Sequence, residues 1–120
     1  MRIVNPIGVA GENIAVKFLE KKGYKIIERN FRKNYTEIDI IATYRNSLIF
    51  IEVKTRTSLE FGTGFEAISP WKIKSLMKTG HLYKAMHPRL PENLQIDAIS
   101  IFLSKNSELE SIEHLESVSE

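Results

Sequence analysis

The sequence predicts one α/β domain: a mixed β-sheet flanked by helices, with elements in the order α-β-β-β-α-β. Three observations carry this. Residues 8–22 and 70–86 place apolar side chains at helical spacing between recognisable start and stop signals. Four other stretches, rich in Ile, Val and Phe, have strand length. The 120-residue chain is long enough for one domain with a modest layered core.

In the first helix, "GVAGENIAVKFLEKK", Ile14, Ala15, Phe18 and Leu19 share a side, lysines gather at the C-terminal end, and Gly23 stops it. "YKIIERNF" reads as the first strand, with a turn at Asn34 and Tyr35. Residues 36–43 and 48–55 are the second and third strands around a tight turn at Arg45-Asn46-Ser47. Residues 57–69 contain Gly62 and Gly64 without a clean period and read as a mobile loop. Gly62-Thr63-Gly64 lacks the Gly-Lys-Ser/Thr of a phosphate loop. Ser69-Pro70 starts the second helix, which turns Ile73, Leu76, Met77 and Tyr83 inward and is weakened by Gly80. "LQIDAISIFL" is the fourth strand. The tail beyond Ser104 is expected to be an amphipathic helix or disordered. The chain thus divides into a domain at 1–104 and an acidic tail at 105–120.

No apolar run approaches the roughly 20 residues of a membrane helix, and the N-terminus lacks a signal-peptide core. Cysteine is absent, which excludes disulfides and thiolate metal sites. A cytoplasmic location is the expectation. The net charge of +2 is unevenly spread: residues 1–104 hold 16 Lys and Arg against 10 Asp and Glu, whereas 105–120 hold one Lys and five Glu. The basic body is compatible with a phosphate-rich partner, and the acidic tail is expected to cover the basic face in cis. His81, His87 and His114 do not cluster, so zinc is not expected.

The hairpin carries the chemistry. Side chains alternate across a strand, so Leu48, Phe50, Glu52 and Lys54 share one face, and Glu37, Asp39 and Ile41 share another. A turn of two or four residues sets Asp39 opposite Glu52, and Glu37 opposite Lys54. Opposed residues have Cβ atoms about 4.5–5.5 Å apart, and two carboxylates that close repel unless a cation or proton lies between them. Such a pair suits Mg²⁺, which keeps several waters and shares its remaining positions with a phosphate. Lys54 can offset phosphate charge or hold and deprotonate the attacking water. The plainer reading is a surface hairpin in which Glu37 pairs with Lys54. Glu12 shares the inward face of Ala15, Val16 and Leu19 and so calls for a partner.

"GENIAVKFLEKKGYKIIERNFR", "EIDIIA", "LIFIEVKTR", "FG" and "PWK" resemble the small bacterial YraN-like family of predicted endonucleases. That family falls in the PD-(D/E)XK, restriction-endonuclease-like superfamily and is similar to archaeal Holliday junction resolvases. The resemblance spans about Gly8 to Phe102. It implies a catalytic set of Asp39, Glu52 and Lys54, with Glu12 joining Asp39 and Glu52 at a Mg²⁺ or Mn²⁺ ion. DNA, branched or single-stranded, is the implied substrate, and a homodimer would extend the short basic face. Two positions depart from the family pattern: Thr36 replaces a usual Gly, and Gln95 replaces an Arg common before Asp97. A nucleic-acid-binding module of the same fold without catalysis, and a partner-binding domain, are the alternatives.

Lys72, Arg56 and Arg32 are the candidate nucleic-acid contacts. Lys72 opens the second helix; Arg56 closes the third strand beside Lys54 and turns to the other face if the strand runs on. Trp71 and Phe61 can stack on bases, though burial is the commoner fate of such rings.

Overall fold

The chain folds around one five-stranded sheet of order β1-β2-β3-β4-β5. The computed structural model describes residues 5–34, 36–57 and 68–118. They form α1 (Pro6–Lys21), β1 (Lys25–Lys33), β2 (Thr36–Tyr44), β3 (Ser47–Arg56), α2 (Pro70–Met86), β4 (Asn93–Leu103) and β5 (Leu109–Leu115). The mixed sheet flanked by helices is as expected, and one further strand follows the six expected elements. Tyr35, Phe61 and Gly62-Thr63-Gly64 lie outside the described residues.

Local chemistry sets the boundaries. α1 begins earlier than its apolar period indicates, because the Asn5 side chain accepts the Ile7 N–H at 3.0 Å and Pro6 occupies the first turn. Ser69 caps α2 in the same way through Lys72 N–H at 3.1 Å. Gly23 leaves α1 at φ +100, a conformation that favours glycine. Arg45 and Asn46, at φ +48 and +62, make the two-residue turn of the β2–β3 hairpin. Pairing then runs from Tyr44–Ser47 to Ile40–Ile51, the register expected of an even turn.

β3 and β4 pair in parallel, with α2 in the connection between them, and β5 runs antiparallel to β4. The two helices take opposite faces. Ala15 and Leu19 of α1 pack on Ile40, Ala42, Ile49, Ile51, Ile99 and Ile101. Leu76 and Tyr83 of α2 pack on Ile38, Ile41, Leu48, Phe50 and Ile96. Two glycines let the helices approach closely: a methyl on Gly11 would overlap the Thr55 side chain, and one on Gly80 would overlap the Phe50 ring. Gly80 therefore seats the core rather than merely weakening α2.

The expectation of a helical or disordered tail is corrected: residues 109–115 are a strand. Its inward positions are Ile112 and His114 rather than a run of apolar residues. Ile112 pairs with Ile101, and His114 Nε2 lies 2.8 Å from Asp97 Oδ2. Asp97 is fully buried and also accepts from Tyr24 Oη at 2.9 Å, Gln95 Nε2 at 2.8 Å and Ser117 N at 3.1 Å. Burial alone would raise its pKa, but the hydrogen bonds from His114, Gln95, Ser117 and Tyr24 hold the carboxyl below its usual range. Gln95 is thus one of its donors. The acidic segment is woven into the sheet edge, so removing it would strip β4 of its neighbour and not simply unmask a basic face.

Gly80→Ala is expected to destabilise the fold by about 1–3 kcal/mol, because the added methyl would force the fully buried Phe50 ring to shift. His114→Ala is expected to cost about 1–3 kcal/mol by depriving a buried carboxylate of a donor. Urea denaturation of each variant measures both.

Candidate active site at the open end of the β2–β3 hairpin

The site begins where the hairpin ladder stops. Beyond Ile40–Ile51 the next pair would be Asp39 and Glu52, but Asp39 Oδ2 instead accepts the Val53 backbone N–H at 2.8 Å. A side-chain carboxylate thus takes the place of a strand carbonyl. The other edge of β2 breaks at the same level. Phe31 pairs with Ile38 and Arg29 with Ile40, while Asn30 between them has φ +55. Ile38 and Ile41 consequently both lie in the α2-side core. The strict alternation expected for 36–43, with Glu37, Asp39 and Ile41 on one face, is therefore wrong: the break rotates the strand.

Asp39 is only 8% exposed. Burial, and next the charge of the neighbouring Glu52, push its pKa up to about 8, with Glu12 adding to the rise and the Val53 N–H opposing it. At neutral pH and without a metal ion, Asp39 therefore keeps its proton. The expected juxtaposition of these two carboxyls is present, in a more intimate form than simple cross-strand pairing.

Glu12 reaches this region from α1, whose close seat on Thr55 fixes the height of the helix along β3. Its Oε1 accepts from Asn30 Nδ2 at 2.8 Å and lies 3.8 Å from Arg29 Nη2. Glu52 Oε2 lies 3.4 Å from Lys72 Nζ. That oxygen is buried without a hydrogen-bond partner among the described residues. Lys54 is half-buried, two residues beyond Glu52, and forms no ion pair among the described residues.

The structure thus brings Asp39, Glu52 and Lys72 together, with Glu12 close enough to act on Asp39 and Lys54 following Glu52 on β3. β3 stays paired through Arg56, opposite Phe102. A two-residue period returns Arg56 to the side of Glu52 and Lys54, so the expected turn to the other face is corrected. Arg32 is exposed and ion-paired with Glu37 at 3.7 Å. Glu37 thus meets a β1 arginine, where the plainer sequence reading paired it with Lys54. Asn30 is the residue that sequence reasoning missed. Its only signal is an asparagine, tolerant of positive φ, inside a strand.

The donor set fits a hard divalent ion in part. No group of three or more His, Asp or Glu among the described residues is arranged to hold a metal, in keeping with Glu12 being drawn to Asn30 and Arg29. The Asp39–Glu52 pair itself has what Mg²⁺ or Mn²⁺ needs: two adjacent hard oxygens, excess proton affinity and an unsatisfied lone pair.

The raised pKa sets a pH dependence. An unfolded aspartate loses its proton near pH 4, whereas folded Asp39 keeps it to about pH 8. Between these values the folded state holds the extra proton, so metal-free stability falls as pH rises. The fall is expected to be on the order of a few kcal/mol and to vanish in Asp39→Asn. Thermal or urea unfolding in EDTA across that window measures it.

Comparison with known proteins gives the chain its relatives. The family described as "Uncharacterised protein family UPF0102" matches residues 11–101. A UPF0102 protein of Syntrophomonas wolfei is 42% identical over 97 residues, covering 81% of this chain and 84% of its own. UPF0102 protein TTE1452 of Caldanaerobacter subterraneus is 40% identical over 110 residues, covering 91% and 90%. UPF0102 protein NT01CX_2205 of Clostridium novyi is 40% identical over 111 residues, covering 92% of each chain. The protein belongs to the UPF0102 family.

Proposed function

We propose that this protein is a metal-dependent nuclease of the PD-(D/E)XK type that hydrolyses phosphodiester bonds in DNA with Mg²⁺ or Mn²⁺. The observation that carries the reading is the juxtaposition of buried Asp39 with part-buried Glu52, a carboxylate pair whose mutual repulsion favours a proton or a metal ion between them. The pair sits where the β2–β3 ladder ends, at the mouth of the hairpin rather than within it.

Asp39 and Glu52 would hold the ion, and Glu12, steadied by Asn30, would add negative charge behind them. When bound, the ion supplies charge neutralisation at the phosphoryl group and lowers the pKa of water. Lys54, two residues beyond Glu52 on β3, would orient the attacking water through its ammonium and offset charge developing on the phosphate. Lys72 lies in the first turn of α2 beside Glu52 and would extend the positive field toward the incoming strand. Arg56, on the side of Lys54, and Arg32, on the exposed β1 edge, widen it. A second copy of the chain would lengthen this short basic surface along a duplex.

A second reading is a nucleic-acid-binding module without catalysis. The Lys72–Glu52 contact favours it, because an ammonium at 3.4 Å partly neutralises Glu52 without any metal.

Cleavage of flapped, branched or single-stranded DNA is expected with Mg²⁺ or Mn²⁺ and not with EDTA. Asp39→Ala and Lys54→Ala are each expected to lower the rate at least about a hundredfold. Gel assays of end-labelled DNA decide the matter. Wild-type rates in Asp39→Ala would end the nuclease reading, and binding without cleavage would establish the module.

A further inference from the structure

Trp71 does not take the buried place that large aromatic residues usually find. α2 turns Leu76, Thr79, Gly80 and Tyr83 to the core and leaves Trp71 75% exposed. It meets no other aromatic ring among the described residues. Trp71, Ser75, Lys78 and Leu82 recur at spacings of four, three and four along one side of α2, and so form a stripe. Together with Asn34 and Thr36 from the β1–β2 turn, this stripe lines a groove of about 220 Å³. Thr36 Oγ1 and Ser75 Oγ are hydrogen-bonded at 2.6 Å across it, which fixes α2 against the start of β2.

We propose that this groove is a nucleobase site that takes one unpaired base of a DNA strand stacked on the Trp71 indole. Three features select that occupant. The indole face and the Leu82 side chain offer apolar surface to a flat ring, and base–aromatic stacking tolerates any base. The Asn34 amide and the Thr36 and Ser75 hydroxyls supply donors and acceptors at the ring's edge. Lys78 lines the groove and no carboxylate does, so the ligand is anionic as well as flat. Trp71 directly precedes Lys72, which touches Glu52. The groove therefore begins in the same first turn of α2 that carries Lys72 to Glu52. This rests on the nuclease reading and deepens it: a base held in the groove cannot be paired, so the DNA is single-stranded or branched beside the scissile phosphate.

The chain contains a single tryptophan, so its fluorescence reports this position alone. The test uses full-length Asp39→Asn protein in Mg²⁺, titrated with dye-labelled oligothymidylate or with a blunt duplex of equal length. Anisotropy of the dye follows binding, while tryptophan emission follows stacking. Oligothymidylate is expected to quench the emission in step with binding, and the duplex to bind without comparable quenching. Trp71→Ala in the same background is expected to weaken oligothymidylate binding about fivefold or more while leaving duplex binding unchanged, and Trp71→Phe to retain most of the affinity. Oligothymidylate binding without quenching, or undiminished binding by Trp71→Ala, would overturn the base site and leave the nuclease reading standing. Absence of binding to either DNA would overturn both. Equal quenching by polyglutamate would make the groove a site for acidic peptides instead.

Discussion

The hydrogen bond from the Val53 N–H to the Asp39 carboxylate organises this protein. It satisfies a strand donor with a side chain, and so ends the β2–β3 ladder one pair short of Asp39 and Glu52. Everything near the site follows from that substitution. The two strands part, the carboxyls are left close and poorly compensated, and the neighbouring β1 strand absorbs the distortion at Asn30. The rest of the fold holds the opening in place. Ile49 and Ile51 are clamped by α1, and Leu48 and Phe50 by α2, so the hairpin cannot relax by twisting. The close approaches at Gly11 and Gly80 fix the heights of both helices against β3.

Two buried aspartates in one sheet show how environment divides structure from chemistry. Asp97 accepts from a histidine, an amide, a phenol and a backbone N–H, and its carboxyl is held low. Asp39 accepts from one backbone N–H and faces another acid, and its carboxyl is pushed high. The first is a satisfied anchor that ties β5 and the chain end to the core. The second retains unmet demand for positive charge, the property expected of a working group rather than a scaffold. Exposure alone does not separate them, since both are buried; the supply of donors does.

Much of this was legible in the chain. The parity of Leu48, Phe50 and Glu52 followed from strand geometry, and the Arg45-Asn46 turn fixed the register that brings Asp39 to Glu52. The break at Asp39 was not legible, because a side chain replacing a backbone acceptor leaves the hydrophobic pattern untouched. β5 escaped for a related reason. One of its two inward positions is polar, and His114 declares itself inward only once Asp97 is known to need a donor. Asn5-Pro6 was legible but overshadowed by the apolar period that begins later. Trp71 reversed the usual fate of tryptophan, since α2 fills its buried face with smaller or more central residues.

The acidic end of the chain has a consequence for how molecules meet one another. An outermost strand offers unpaired backbone groups to any neighbour and is a standing invitation to aggregate. β5 carries exposed Glu110 and Glu113 among the exposed apolar side chains Leu109 and Leu115, so two β5 edges repel. The opposite edge, β1, carries Lys25, Arg29, Arg32 and Lys33, and its charge alone would attract a foreign β5. There the backbone itself is the barrier: the irregularity between Ile26 and Glu28 and the left-handed Asn30 interrupt the straight row of donors and acceptors that a docking strand requires. Among the described residues one rim is guarded by charge and the other by shape, and both disfavour the addition of a further strand.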